Sequence, residues 1–166
     1  MEVKVKMLRE GAKLPVLGSK TAAGADLHAC LDYDLMSIAC HQTMKVPTGL
    51  AVEIPDGYFG AIFARSGLAT KEGLRPANCV GVIDSDYRGE VIVALHNDLD
   101  TNRMIENGDR IAQLVILPCQ NVRYVQSDVL SGTERGDGGF GSSGTKEVKK
   151  RGQRADMGMS DDYRGW

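Results

Sequence analysis

Hydrophobic and polar residues alternate with a period of two along much of the chain, which is the pattern of strands that bury one face. Val3, Val5 and Met7 alternate with charged residues, and residues 50–54 repeat the pattern. Further runs rich in β-forming residues cover 58–63, 91–95, 111–117 and 122–125. Turn sequences rich in glycine, proline and aspartate separate these runs. The chain is therefore predicted to be all-β, as a sandwich or a barrel.

Two other kinds of segment interrupt this pattern. Only residues 66–74 have a helical pattern, and Gly73 is expected to end that helix early. Residues 131–144 are rich in glycine and hydroxyl side chains, and such a segment cannot bury a core. The sequence thus predicts a core over 1–130, a glycine-rich arm over 131–144 and an appended polar tail over 145–166.

Length, charge and the distribution of apolar residues limit the kinds of molecule that the chain is expected to bind. A length of 166 residues suits one domain, and a net charge of −2 argues against a nucleic-acid partner. A phosphate-bearing ligand stays possible, because a local group of arginines and backbone N–H groups is enough to bind it. The N-terminus lacks the apolar run of a signal peptide, and no run is long enough to cross a membrane, so no membrane partner is expected.

Cysteines and histidines give no metal-binding spacing. The four cysteines, Cys30, Cys40, Cys79 and Cys119, are far apart and form no C-x-x-C pair. Reduced thiols and a cytoplasmic location are the simplest interpretation. The three histidines are also too scattered for a ligand set, so we expect them to be structural or surface residues.

Five short segments carry the candidate chemistry, and they begin with Ala23-Gly24-Ala25-Asp26-Leu27. The others are Arg65-Ser66-Gly67-Leu68-Ala69, the residues 78–89, the residues 108–114 and the residues 135–144. In this order they resemble the five motifs of the trimeric dUTPase family. The resemblance implies a jelly-roll-like β-barrel with one short helix, in a homotrimer with a swapped C-terminal arm. It also implies Mg²⁺-dependent hydrolysis of dUTP to dUMP and pyrophosphate, which limits dUTP and supplies dUMP for dTMP synthesis.

Residues 78–89 are predicted to form a hairpin around an Asp-Ser-Asp turn, with the next strand beginning at Val91. A plain hairpin with solvated carboxylates is the simplest reading. By resemblance, this hairpin holds uracil through fixed backbone N–H and C=O groups, which cytosine would leave mispaired. Mismatched polar groups can discriminate by about 10⁴ or more. The residues expected to bind the base are Asn78, Gly81, Val82, Ile83 and Ile92.

The same segment supplies the expected catalytic residue. By match to the motif, Asp84 orients and deprotonates a water for in-line attack on the α-phosphorus, a role that needs an ionised carboxylate. Tyr87 is expected to lie under the deoxyribose, where its ring leaves no room for a 2′-hydroxyl. Asp86 is assigned no role, since it is a common turn residue.

Three of the other four motifs are expected to handle phosphate and metal. Ser66 is a natural helix N-cap, and by resemblance Arg65, Ser66 and Gly67 bind phosphate. Asp26 on its own suits a turn or a buried structural carboxylate. The resemblance instead makes Asp26 and Gln113 contacts to the waters of a Mg²⁺ ion held mainly by the triphosphate, with Gln113 also reaching a phosphate.

Residues of the glycine-rich arm would complete the site. The default for such a composition is a disordered linker. By resemblance, Arg135 clamps the γ-phosphate, Phe140 stacks on uracil, and the phosphate oxygens are bound by Gly141, Ser142 and Ser143. In the family this arm comes from a third subunit, which implies that each site uses all three chains.

Two alternatives to a dUTPase remain open. The related dCTP deaminase family shares the fold but uses a glutamate and lacks the aromatic arm, so it fits this chain poorly. The other alternative is a dUTP-sensing or partner-binding module on the same fold, but every expected chemical group is present, and nothing in the sequence indicates lost catalysis. The tail over 145–166 is the one feature that favours an added protein partner, and a solvated extension is the simpler reading of it.

Overall fold

The computed structural model describes residues 1–78 and 80–139, and these residues form twelve strands and one short helix. The elements in chain order are β1 (Lys4–Met7), β2 (Val16–Leu17), β3 (Ala25–His28), β4 (Leu35–Ile38), β5 (Thr43–Pro47), β6 (Leu50–Glu53), β7 (Tyr58–Phe63), α1 (Ser66–Lys71), β8 (Leu74–Pro76), β9 (Gly81–Ile83), β10 (Ile92–Asn97), β11 (Arg103–Glu106) and β12 (Arg110–Pro118). No helix among these residues has the length and apolar character needed to span a bilayer.

The strands pair antiparallel in four sheets. The largest has the order β2-β3-β12-β7-β9, with the nine-residue β12 between β3 and β7. A second sheet has the order β5-β10-β8, and two strand pairs, β1-β6 and β11-β4, complete the set. Residues 1–123 form one compact unit, and the described residues 124–139 belong to a second one. Residues 124–139 contain no strand or helix.

Aliphatic side chains from all four sheets build one core in the first unit. Along β10 the alternation is plain, because Val93 and Leu95 are buried while Ile92 is exposed. The largest side chains with almost no exposure are Leu27, Ile38, Leu50, Leu74, Leu95, Ile105 and Ile111. Burying one such side chain contributes about 1.5–3 kcal/mol, so this shared core is what holds the separate sheets together.

The all-β fold with one short helix is confirmed, but the described strands do not close into one barrel. Most of them have only two to six residues, so each pairs briefly before the chain turns into another sheet. The strand predicted over 122–125 is wrong. The segment is rich in β-forming residues, but no strand in the described part of the chain pairs with it.

The hairpin predicted over residues 78–89 is wrong in its pairing. Strand β9 pairs with β7, while β10 pairs with β5 and β8, so the two strands that flank the turn belong to different sheets. The helix predicted from Ser66 is confirmed, and so is its early end before Gly73. It ends at Lys71, and Gly73 follows with a φ of +64°, a conformation that glycine adopts without strain.

Candidate active site

The first candidate site is a cleft of about 220 Å³, called here the Asp84 cleft. Its lining residues are Ile62, Asn78, Gly81, Val82, Ile83, Asp84, Tyr87, Glu90, Val91, Ile92, Val93 and Ala94. All seven residues expected to bind the base and sugar or to act on water therefore share one concave surface. A concave cleft that combines apolar side chains with polar groups is typical of small-molecule sites.

The narrow fit of β9 against β7 sets the position of this cleft. Gly81 pairs with Ile62, and a Cβ at Gly81 would lie 3.0 Å from the Ile62 Cβ and 3.1 Å from the Asn78 side-chain nitrogen. A larger residue would have to push one of these groups away. Gly81 is thus needed for close packing, and that packing places the backbone of β9 along the cleft.

The turn after β9 positions Asp84 and Tyr87. The Tyr87 N–H donates to the Asp84 carbonyl at 3.1 Å, and the Arg88 guanidinium donates to the carbonyl oxygens of Ser85 and Tyr87. The Tyr87 hydroxyl donates to the Glu90 carbonyl at 3.0 Å. The exposed Asp84 carboxylate has no ion-pair partner within residues 1–78 and 80–139. Its oxygens are therefore free to accept from water.

A second constellation, the Asp26 cluster, consists of Asp26, Arg65, Arg110 and Gln113. Asp26 is only 5% exposed. Its Oδ1 accepts from Arg65 Nε at 3.0 Å and from Gln113 Nε2 at 3.4 Å, and its Oδ2 accepts from Arg110 Nη1 at 3.2 Å. Gln113 and Asp26 are opposite each other on β12 and β3, so sheet register brings this pair together.

Two guanidinium groups around one carboxylate leave the cluster with excess positive charge. Arg65 and Arg110 also line a cleft of about 300 Å³, the arginine cleft, whose other lining residues are Leu68, Glu72, Leu74, Arg103, Met104, Ile105 and Asp109. Charge-assisted hydrogen bonds hold both guanidinium groups in place. The arrangement can bind an anion without further ordering of either arginine.

Ser66 and Gly67 are the first two residues of α1. The prediction that Ser66 caps this helix is wrong, since the N-cap is Arg65 and no side chain makes the cap hydrogen bond. A Cβ at Gly67 would meet no atom within 4 Å, so its backbone is open to approach.

The side chains around Asp26 limit how many direct ligands they could offer to a metal ion. Among the described residues, no group of three or more His, Cys, Asp or Glu side chains could hold a metal ion. A carboxylate offers about four lone-pair directions, and three of Asp26 are taken. What remains suits contact with a metal-bound water, so the residues fit a cation whose direct ligands come from elsewhere.

His28 lies beside the cluster, opposite Arg110 in the strand register. Burial lowers the pKa of His28, and the positive charge of Lys13 lowers it further. Its Nδ1 is buried, with no hydrogen-bond partner among the described residues. The neutral imidazole is therefore favoured, which avoids a further positive charge next to the arginines.

Two residues of these sites were missed from the sequence. Arg110 stands in the quoted segment 108–114, three positions before Gln113, and on a regular strand that odd spacing would place the two side chains on opposite faces, so its place within the segment was the only signal. Glu90 follows the quoted segment 78–89 directly, and its side chain, 16% exposed, accepts hydrogen bonds from Arg9 and from the Gly49 N–H.

Among the described arm residues, Arg135 makes one side-chain hydrogen bond. The Arg135 Nε donates to the Gly138 carbonyl at 2.8 Å, within a short turn. Phe140, Gly141, Ser142 and Ser143 lie outside the described residues, as do Cys79 and the tail over 145–166.

The family model and the named relatives that match this chain all point to the same family. The family model for dUTPase matches residues 10–144. A deoxyuridine 5′-triphosphate nucleotidohydrolase of Desulfitobacterium hafniense is 50% identical over 147 residues, covering 87% of this chain and 97% of its own. One from a Hydrogenobaculum species is 48% identical over 146 residues, covering 88% of this chain and 100% of its own.

Solved structures agree with these relatives. The dUTPase of Staphylococcus bacteriophage 80alpha with dUPNHPP is similar, with a TM-score of 0.78, 31% identity and coverage of 86% of this chain and 98% of its own. A variant of the dUTPase of phage phi11 of S. aureus, described for its coordination of a structural Mg(II) ion, has a TM-score of 0.71 and 25% identity. It covers 80% of this chain and 100% of its own.

Proposed function

The chain belongs to the dUTPase family and hydrolyses dUTP, and from that premise we propose which of its residues perform the reaction. The observation that carries the assignment is the Asp84 cleft. There an unpaired carboxylate, a tyrosine ring and the backbone of β9 share one surface. Water and dUTP give dUMP and pyrophosphate, so the site must hold a uracil base, activate a water and stabilise a triphosphate.

The backbone of β9, Gly81–Ile83, recognises uracil. The base has an N–H donor at N3 and carbonyl acceptors at O2 and O4, which backbone C=O and N–H groups can match. The exposed side chains of Val82 and Ile92 cover its apolar surface, and Asn78 helps to hold it. Cytosine would leave polar groups unpaired at a cost of about 1–3 kcal/mol each, which selects against dCTP.

Asp84 is the general base. It accepts a proton from a water, whose oxygen forms a bond to the α-phosphorus while the bond between that phosphorus and the bridging oxygen to the β-phosphate breaks. Pyrophosphate then leaves. Because the Asp84 carboxylate is exposed in the cleft and has no charged partner in the described part of the chain, it can take that proton.

The Asp26 cluster and the start of α1 bind the triphosphate. Arg65 and Arg110 supply guanidinium donors that Asp26 holds in position, and the side chain of Arg110 is half exposed towards the cleft. The N–H groups of Ser66 and Gly67 and the amide of Gln113 add neutral donors. Arg135, with the arm residues that lie outside the described part of the chain, would contact the γ-phosphate and the base.

A Mg²⁺ ion is the proposed cofactor, supported by the structural Mg(II) ion of the phi11 enzyme. Asp26 and Gln113 would contact its waters, and the phosphate oxygens would be its direct ligands. When bound, the ion neutralises negative charge on the leaving pyrophosphate. A cytoplasmic location for the enzyme stays a prediction.

Each active site combines parts of different subunits in a homotrimer. The Asp84 cleft and the arginine cleft share no lining residue. Ile62 lines the Asp84 cleft and Arg65, three residues later and roughly 10 Å away at the rise of a strand, lines the arginine cleft, so the two clefts are separate surfaces of one chain. This separation supports a site in which one subunit supplies Asp84 and another supplies Arg65.

Pyrophosphate release from dUTP, dCTP, dTTP and UTP, measured in parallel with and without Mg²⁺, tests the proposal. We expect rapid release from dUTP alone, and a large loss of rate without Mg²⁺. Comparable turnover of dCTP would contradict the role of the β9 backbone. Tight dUTP binding with no release from any substrate would contradict the hydrolytic assignment and favour the sensing module.

A further inference from the structure

The ring of Tyr87 lies directly over the backbone of Gly89. A Cβ at Gly89 would lie 2.5 Å from the ring Cζ, and closer still to the hydroxyl oxygen. The hydroxyl then donates to the carbonyl of Glu90, the next residue, at 3.0 Å. Because Tyr87 is 45% exposed, side-chain packing covers only part of the ring. Its orientation therefore depends on Gly89 beneath it and on the Glu90 carbonyl at its tip.

Glu90 is itself fixed by its side chain. Its Oε1 accepts from the Gly49 N–H at 2.8 Å, and its Oε2 accepts from Arg9 Nη2 at 3.0 Å. Gly49 has a φ of +69°, and a Cβ there would collide with Cys30 Sγ, so this N–H has little freedom to move. The hydrogen bond to Glu90 raises the pKa of Arg9, so the contact involves a charged guanidinium.

We propose that Glu90 is a positioning residue for sugar selection: Arg9 and Gly49 hold its carboxylate, and its carbonyl in turn holds the Tyr87 ring where a ribose 2′-hydroxyl would lie. The inference rests on the proposed function, in which Tyr87 excludes UTP. An apolar surface rejects an added hydroxyl by only about 10². A steric gate of this kind works only if the ring cannot tilt away, and positioning of a functional group within about 0.5 Å needs support of this type.

The ratio of kcat/KM for dUTP to kcat/KM for UTP tests this role. Both terms of the ratio scale with the amount of active enzyme, so partial unfolding leaves it unchanged. The variants are Glu90→Ala, Glu90→Gln, Arg9→Met, Asp32→Asn and Tyr87→Ala. Asp32→Asn is the matched control, because Asp32 is the other, largely exposed partner of Arg9 and does not contact Glu90.

We expect Tyr87→Ala to lower the ratio most, and Glu90→Ala to lower it about tenfold, as for the loss of one or two hydrogen bonds. Arg9→Met and Glu90→Gln each keep the contact with Gly49, so they should lower the ratio about threefold. Asp32→Asn should leave it unchanged. In each variant that lowers the ratio, the decrease should arise from a gain in UTP turnover.

An unchanged ratio in Glu90→Ala and Arg9→Met, with Tyr87→Ala still lowering it, would overturn the positioning role and leave the tyrosine gate in place. An unchanged ratio in Tyr87→Ala would remove the gate itself and this inference with it. An equal decrease in Asp32→Asn and Arg9→Met would also overturn the inference, because the effect would then be one of general surface charge.

Discussion

Two aspartates of this chain occupy opposite environments. Asp84 is exposed in its cleft, and its carboxylate has no charged partner in the described residues. Asp26 is buried, and three side-chain donors occupy its oxygens. A carboxylate with free oxygens can accept a proton from water, whereas one that already accepts three hydrogen bonds is suited to holding other groups in place. Under the proposed mechanism, Asp84 therefore performs the chemistry and Asp26 holds other groups in place.

Replacing Asp84 should give the largest effect on turnover. Asp84→Asn keeps the size of the side chain but cannot accept the proton, so kcat should fall about 10²–10⁴-fold with little change in dUTP affinity. Steady-state kinetics and equilibrium binding of dUTP check this. Asp86→Asn, in the same turn, is the matched control and should retain turnover. Substantial activity in Asp84→Asn would reject Asp84 as the base.

Replacing Asp26 should act on stability and substrate binding together. Asp26→Asn leaves Arg65 and Arg110 beside a neutral side chain, and we expect a loss of about 2–4 kcal/mol in the free energy of unfolding. The value lies below that of a fully buried pair because Arg110 is half exposed. Urea unfolding measures it, and Glu53→Gln, which breaks the exposed pair with Lys4, should change little. Unaltered stability would show that the cluster is not a structural support.

Replacing Arg110 should affect dUTP binding while leaving the support of Asp26 partly intact, because the Arg65–Asp26 pair remains. Arg110→Met should raise the KM for dUTP about tenfold, the equivalent of one charge-assisted hydrogen bond, with a smaller effect on kcat. Arg103→Met is the control, since Arg103 lines the same cleft but donates to the Glu72 carbonyl. An equal effect of both substitutions would mean that Arg110 acts only through the general positive charge of the cleft.

The smallest expected effect concerns His28. Burial lowers its pKa in the folded protein, so below about pH 6.5, the ordinary value for histidine, the unfolded chain binds the additional proton. Stability should therefore decrease as the pH falls through that value. His28→Gln removes this contribution, and its melting temperature should decrease less between pH 7.5 and 5.5 than that of the unaltered protein. Parallel decreases would contradict the assignment.

Local pattern predicted the strands that carry most of the sheet. The run over 58–63 coincides with β7, and the run over 111–117 lies within β12, because alternation in these segments reflects one face on the core. Such a pattern does not show which distant strands pair with each other. For this reason β9 and β10 were wrongly predicted to pair as a hairpin. Register between strands is set by packing that a single segment does not contain.

In the candidate site, too, local sequence predicted some features, while others depend on the pairing of distant strands. Motif residues of the Asp84 cleft are close in sequence, so one segment was enough to place them together. The role of Arg110 depends on the pairing of β12 with β3, which includes a register shift between Arg110 and Ala112. That irregularity turns Arg110 towards Asp26, and a strict period of two could not reveal it.

Subunit complementation tests whether one active site combines the Asp84 cleft of one chain with the Asp26 cluster of another. Asp84→Asn and Arg65→Ala, each nearly inactive alone, would be unfolded, mixed and refolded together, and dUTP hydrolysis would be compared with that of each variant refolded by itself. We expect the mixture to recover a substantial part of the activity of the protein without substitutions, because mixed trimers contain sites with both residues intact. Activity no greater than the sum of the two separate variants, in mixtures shown to contain mixed trimers, would contradict it.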